Sequence, residues 1–261
     1  MKKILRKTLL YKHIKYYRRI KKLLNDPTYR AIRRKATLES EKHTKRTDII
    51  NFLLEQFNRD THYLEIGVRR PKHNFSKIKS KTKYGVDPGI EFSKNPVDFK
   101  MTSDRFFSQL DQEKILHKNI RFDVIFIDGL HLAEQVDRDI ANALRYLKDD
   151  GFIVLHDCNP PSEWHAREDF YYGLTPAEWE WNGTTWKAFL KWRGDQTLQS
   201  CCIDTDWGIG ILSKKHPIGR KTTLKNIFFE FKTLDRNRDD FLNLMSFEHF
   251  KKVISKGYVV Q

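Results

Sequence analysis

Apolar positions change their spacing along the chain, and the changes divide it into parts. Over residues 1–24, Leu10, Ile14, Tyr17 and Leu24 recur at helical intervals among basic residues, which predicts an amphipathic helix that ends at Asn25-Asp26-Pro27. A second helix is expected over Thr47 to Phe57, with Ile49, Ile50, Leu53, Leu54 and Phe57 on its apolar face and Thr47 or Asp48 as its cap. From there the pattern becomes short continuous apolar runs: HYLEIGV (62–68), KYGVDPG (83–89), VDFKM (97–101), FDVIFIDG (122–129) and GFIVLHD (151–157). The segment 132–148 between the last two has Val136, Ile140, Ala143, Leu144 and Leu147 at helical spacing. Unbroken apolar strands separated by amphipathic helices predict an α/β fold, a mostly parallel sheet covered on both faces.

After Asp157 comes an aromatic insert over 158–193, carrying five of the six tryptophans, with a helix expected over Thr184 to Arg193. SCCIDTDWGIGILS (200–213) reads as two strands about a tight bend, a hairpin at the sheet edge. The final stretch, 214–261, looks helical, with Ile227, Phe228, Phe231, Leu234, Phe241, Leu242 and Leu244 as its apolar positions. Three units follow: an arm (1–46), an α/β domain (47–213) and a C-terminal extension (214–261).

Charge sharpens this division. The net charge is +15, but residues 1–46 hold 17 Lys and Arg against 3 Asp and Glu, so +14 of it belongs to the arm and the remaining residues are almost neutral. Such a helix suits an anionic membrane surface or nucleic acid, or it packs on the body with its basic face in water. No apolar run approaches the roughly 20 residues of a membrane span, and no secretory signal is read. Cys158, Cys201 and Cys202 have neither disulfide-framework nor zinc spacing, which fits a reducing compartment, and a cytoplasmic location is expected.

Ligands of an open parallel sheet sit beyond the carboxyl ends of its strands. Those ends carry Glu65 and Gly67, then Asp87, then Ser103 and Asp104, then Asp128, Gly129 and His131, and last His156, Asp157 and Asn159. An acid in the place of Asp87 can accept from both hydroxyls of a ribose, although Asp87-Pro88-Gly89 is also sound turn chemistry. The loop after the first strand has one glycine and then RRPKHN, too few glycines to cradle a pyrophosphate, so NAD and FAD are not expected, and no P-loop occurs. S-adenosylmethionine has no phosphate. Its sulfonium and amino groups suit an acidic rim, and its carboxylate suits the basic loop.

In order, YLEIG, YGVDP, FDVIFIDGLH and GFIVLHD resemble a class I S-adenosylmethionine-dependent methyltransferase, and DGLH with GFIVLHDCNPP resembles its small-molecule and sugar O-methyltransferase branch, over roughly residues 60–213. That resemblance implies a Rossmann-like seven-stranded sheet with a terminal antiparallel hairpin. It also implies Glu65 and Gly67 at the methionine part, Asp87 at the ribose, Ser103 and Asp104 at the adenine, and Asp128 with Gly129 near the methyl group. His131 is the candidate general base, with helix capping as its plainer role. Related enzymes hold a divalent ion such as Mg2+, for which Asp128, Asp157 and Asn159 are the candidate ligands here; loop hydrogen bonding is the alternative for the last two. Trp164, Trp181, Trp186 and His165 are candidate acceptor contacts, or else they pack the insert on the body. The expected function is O-methylation of a sugar or saccharide precursor at the inner membrane face. The rivals are a non-catalytic membrane- or nucleic-acid-binding module and, with less support, a nucleic-acid methyltransferase.

Overall fold

The computed structural model describes residues 9–222 and 225–259. In chain order the helices are α1 (Leu9–Leu24), α2 (Pro27–Ser40), α3 (Arg46–Glu55), α4 (Ser103–Asp111), α5 (Ala133–Tyr146), α6 (Thr185–Arg193), α7 (Phe231–Arg236), α8 (Arg238–Leu242) and α9 (Phe247–Val259). The strands are β1 (His62–Ile66), β2 (Thr82–Val86), β3 (Phe122–Ile127), β4 (Leu147–Leu155), β5 (Gln199–Ile203), β6 (Ile209–Ser213) and β7 (Leu244–Met245). The part of the expected arm over residues 1–8, and the side chain of Leu10, lie outside the described residues.

One seven-stranded sheet has the order β2-β1-β3-β4-β6-β5-β7. β1 pairs in parallel with β2 and β3, and β3 with β4; β6 runs antiparallel to both β4 and β5. The expected Rossmann-like architecture is therefore present. Alternation sends Leu64, Ile66, Ile125 and Ile127 to one face, under α4, α5 and α6. Tyr63, Val124 and Phe126 go to the other, under Ile49, Ile50, Leu53 and Leu54 of α3 and Phe250 and Ile254 of α9. Both faces are dry, which is why the strand runs are continuously apolar.

Two strand expectations change. VDFKM is no strand: only a single bridge joins Phe99 to Val86, because the Asp98 carboxylate takes the Gly85 N–H (2.8 Å) that a main-chain ladder would use. The seventh strand is instead β7, two residues of the C-terminal extension parallel to β5. That extension is less helical than expected: Ile227 and Phe228 lie outside any helix and are exposed. It is fastened by Arg193, buried in α6, whose guanidinium donates to the carbonyls of Phe241, Ser200, Arg220 and Asp240.

Candidate active site

The parallel ladder runs past the strand ends and brings the rim residues level. Gly67 N donates to Val86 O and Asp128 N to Ile66 O, both at 2.8 Å, and His156 N donates to Ile127 O at 3.2 Å. Gly67 has φ +92°, and a Cβ there would lie 2.1 Å from Asp128 O. Only glycine lets the chain leave β1 this close to the end of β3. Glu65, Asp87 and Asp128 thus end adjacent strands on one edge.

Asp128 is the centre of a charged cluster that is partly buried, with His156, Asp157 and Asp206 buried outright. Its Oδ2 receives Nη1 of Arg46, whose Nε and backbone N both donate to Asp206 Oδ2, at 2.9 and 3.0 Å. Its Oδ1 lies 3.2 Å from His131 Nε2 and 3.2 Å from His156 Nδ1. The facing carboxylate is Asp157, with Oδ2 at 3.1 Å from His131 Nδ1 and 2.9 Å from His156 Nδ1, and Oδ1 accepting from Asn182 Nδ2 at 2.8 Å. Asp157 takes φ 63°, and Asp206 and Trp207 take φ 46° and 67°, so two left-handed turns aim these groups inward.

Electrostatics follow from this crowding. Burial works against ionisation of Asp128, but the charges of His156 and Arg46 and the histidine hydrogen bonds outweigh it and hold the carboxyl well below its usual range. Burial would lower His131, yet Asp157 and Asp128 raise it above an ordinary histidine. Burial and Arg46 oppose protonation of His156, but Asp157 and Asp128 raise it well above that range. Glu65 differs: burial pushes it up to about 7, even though its Oε2 accepts from Tyr63 Oη (2.6 Å) and Asn74 Nδ2 (2.9 Å).

The aromatic insert closes the other side. Trp181 stacks on His131 with ring centroids 5.2 Å apart and planes 25° apart, and Phe170 meets Trp181 edge-on at 5.6 Å. The insert is docked by Thr184: its N donates to His131 O, and its Oγ1 accepts from Ala133 N, both at 2.7 Å. Gly183, φ +59°, is required there, since a Cβ would lie 2.1 Å from His131 O.

The candidate residues divide accordingly. Asp128, His131, Asp157 and Trp181 converge. Gly129 follows Asp128 at the same rim, with its α-carbon close beside Gly67. Asp87 is buried at the end of β2, where Oδ1 accepts from Gly89 N at 2.6 Å, and Ser103 and Asp104 open α4 and both accept from Gln135 at 3.2 Å. Asn159 sits elsewhere: its Oδ1 accepts from Arg238 (2.5 Å) and its Nδ2 donates to Asp204 (3.2 Å). Trp186 packs in the core against Phe229 and Phe231, while Trp164 is half exposed. His165 is buried, bonded to Ser162 at 2.8 Å and lowered to about 4 by burial and Arg167. Sequence position places His156 at the rim but gives it no role, and it does not single out Arg46, Asn182 or Asp206 at all. Only the positive-φ turn around Asp206 had a local hint, in the Asp-Trp-Gly at the hairpin bend.

Residues 57–158 match the family model described as "Methyltransferase domain". Over that span the chain is similar to a methyltransferase domain. The match spans β1 to β4, the part of the chain whose motifs resemble a class I S-adenosylmethionine-dependent methyltransferase. Among solved structures, a Klebsiella pneumoniae protein provisionally described as an O-methyltransferase is 14% identical, with a TM-score of 0.44, covering 73% of this chain and 90% of its own. The O-methyltransferase from Bacillus cereus, in complex with S-adenosylhomocysteine, is 15% identical, with a TM-score of 0.43, covering 73% of this chain and 92% of its own. No curated protein sequence matches the chain.

Near the strand ends, two buried acceptors are unmet. Among the described residues, buried Asn95 Oδ1 and Asp139 Oδ2 have no protein partner. Asn95 donates to Val68 O (3.1 Å) in the loop after β1, and Asp139 accepts from Gln135 beside Ser103 (3.1 Å). A nucleoside carrying amine and hydroxyl donors would supply what both oxygens lack. A divalent ion has a donor set too: ligand atoms of Asp128, His131 and Asp157 lie within 4.8 Å of one another. With an imidazole in place of Asn159, that set suits Mn2+ or Zn2+ as well as Mg2+.

Proposed function

We propose that the protein methylates a hydroxyl of a sugar or saccharide precursor, using S-adenosylmethionine, with its basic arm keeping it at the cytoplasmic face of a membrane. The observation that carries this reading is the meeting of His131 with Asp128 and Asp157 beneath the ring of Trp181, at the edge of the sheet where Asp87 awaits a ribose. Glu65 and Gly67 would line the methionine part, and Ser103, Asp104 and Asp139 the adenine side.

Bound S-adenosylmethionine supplies an electrophilic methyl group on a sulfur that leaves neutral. The acceptor oxygen forms the new C–O bond as the C–S bond breaks, and its proton passes to His131. His131 must lose a proton beforehand, because carboxylates at both ring nitrogens favour the imidazolium. The Trp181 carbonyl, 3.3 Å from Nδ1, and the nearby charge of Asp157 keep the proton on Nδ1, so that Nε2 is the atom that receives the acceptor proton. Trp181 fixes the ring plane and offers its neighbourhood as a stacking wall for a sugar face. Alternatively, a divalent ion held by Asp128, His131 and Asp157 would lower the hydroxyl's pKa, and His131 would then be a ligand and not the base.

Transfer of labelled methyl groups to a panel of saccharides, with and without a divalent ion, tests the proposal. His131→Gln should lower turnover by at least a hundredfold while S-adenosylmethionine still binds. The competing reading, a module that has lost its cofactor, draws on the loop after β1, which Pro71–His73 and Phe75–Lys77 fill with two 3-10 turns. Calorimetry decides between them: absence of S-adenosylmethionine binding at millimolar concentration favours the module.

A further inference from the structure

Helix α1 is two-sided. At 100° per residue, Ile14, Tyr16, Tyr17, Ile20, Leu23 and Leu24 fall on one half with His13 among them, while Lys12, Lys15, Arg18, Arg19 and Lys22 fall on the other with Tyr11. Lys21 stands at the margin of the apolar half, and the helix contains no acid. A helix with this pattern normally turns its apolar half onto the body. Here that half stays in water: Tyr17 is 66% and Ile20 53% exposed.

A second bare apolar surface lies at the tip of the aromatic insert. Leu174 is 96% exposed and Tyr171 83%, with Tyr172 and Trp179 exposed beside them. Large apolar side chains grouped like this on a surface mark an interaction site. The two surfaces are joined through α2. Asp26 caps α2 directly after α1, and Arg33, about 10 Å further along the helix at 1.5 Å per residue, pairs with Glu178 (3.6 Å) and Glu180 (3.3 Å) of the insert. Next in the chain is Trp181, stacked on His131.

We propose that α1 and the tip of the insert dock together on an anionic lipid bilayer, and that the acceptor is a lipid-linked saccharide entering along the Trp181 wall from the membrane side. Its second half rests on the transferase reading above. The chemistry selects the occupant. A bilayer of acidic lipids takes both halves of α1 at once, cations at the headgroups and Ile14, Ile20 and Leu24 among the acyl chains, while Tyr171, Tyr172 and Trp179 suit the interface. Nucleic acid would use the cations and leave the apolar half in water. A second copy of α1 would set cations against cations.

The test uses the full chain with vesicles of phosphatidylcholine, with or without phosphatidylglycerol, in a flotation assay. Binding should be at least tenfold tighter to the anionic vesicles and weaken with salt. Ile20→Glu and Leu174→Ser should each reduce it severalfold, and brominated lipid should quench the tryptophan fluorescence of the parent protein more than that of Trp179→Phe. Equal affinity for neutral and anionic vesicles, no binding to either, or binding unchanged in both variants overturns the docking. Salt-sensitive RNA binding that survives Ile20→Glu, without vesicle binding, overturns it in favour of nucleic acid. Equal methylation of a free and a lipid-linked form of one oligosaccharide overturns the choice of acceptor. Calorimetry with S-adenosylmethionine on the same samples separates the readings: cofactor binding without vesicle binding sinks only this inference, and vesicle binding without cofactor binding sinks only the transferase.

Discussion

Glu65→Gln isolates one buried carboxyl and predicts a change in how stability depends on pH. Glu65 lies in β1, 3% exposed, and burial lifts its pKa from 4.5 to about 7 in the folded chain. Between those values the folded state holds a proton that the unfolded chain has released, so stability falls as pH rises through this window. A rise from 4.5 to about 7, at about 1.4 kcal/mol per pH unit, amounts to about 3 kcal/mol, of which roughly a quarter is already lost at pH 5. From pH 5 to 7.5 the wild type should therefore lose roughly 2 kcal/mol through this residue. Glutamine stays neutral and keeps an oxygen for Tyr63 Oη and Asn74 Nδ2, so the variant should be of similar stability near pH 5 and more stable by roughly 2 to 3 kcal/mol at pH 7.5. Urea unfolding of both proteins at the two pH values measures the difference, and every other titrating group cancels between them. Parallel curves, with the same gap at both pH values, would refute the claim that Glu65 is held neutral by burial. The same substitution should weaken S-adenosylmethionine binding above pH 7, where only the wild type can offer a carboxylate to the cationic ligand.

Asp87→Ala should weaken S-adenosylmethionine at least tenfold in calorimetry, through loss of the ribose acceptor, without a change of similar size in Tm. Because Asp157 and Asp128 raise the pKa of His131, kcat/KM should climb with pH through a value above 6.5, and a rate that is flat from pH 6 to 8.5 would remove His131 as the base. Gly183→Ala sets a Cβ against His131 O at a positive φ, so it should cut turnover more than it raises the KM for S-adenosylmethionine. Arg193→Met leaves the buried carbonyl of Phe241 without its donor and the Ser200 carbonyl with only Asn243 Nδ2, and should cost about 2 to 3 kcal/mol in urea unfolding. Mn2+ titration followed by spin resonance should show binding that Asp157→Asn abolishes if the carboxylate pair holds a metal.

Local pattern carried much of the architecture. The apolar runs of β1, β3 and β4 are continuous because both faces of the sheet are covered, and acids follow those strands because the edge is where a polar group meets ligand or solvent. The reading slipped where local pattern and tertiary pairing diverge. VDFKM alternates well enough for a strand, but Asp98 satisfies the neighbouring N–H from its side chain. β7 has two residues, too short to carry a period. Trp181 and Trp186 are five positions apart in one aromatic stretch, yet one stacks on His131 and the other fills the core. Nothing in their immediate neighbours distinguishes them, since burial depends on which way the insert folds back.

The sequence by itself determined the α/β order, the acidic rim, the basic arm and the candidate base, because periodicity, strand-end position and charge are properties of short stretches of chain. Only the tertiary structure decided which charges meet. Arg46 and Asp206 are 160 positions apart and share a hydrogen bond of 2.9 Å, Asn182 holds Asp157 from across the insert, and Asn159 is drawn away to Arg238. Contacts of that span arise from packing three separate segments over one sheet edge, and a residue's type and neighbours carry no record of a partner brought in by the fold.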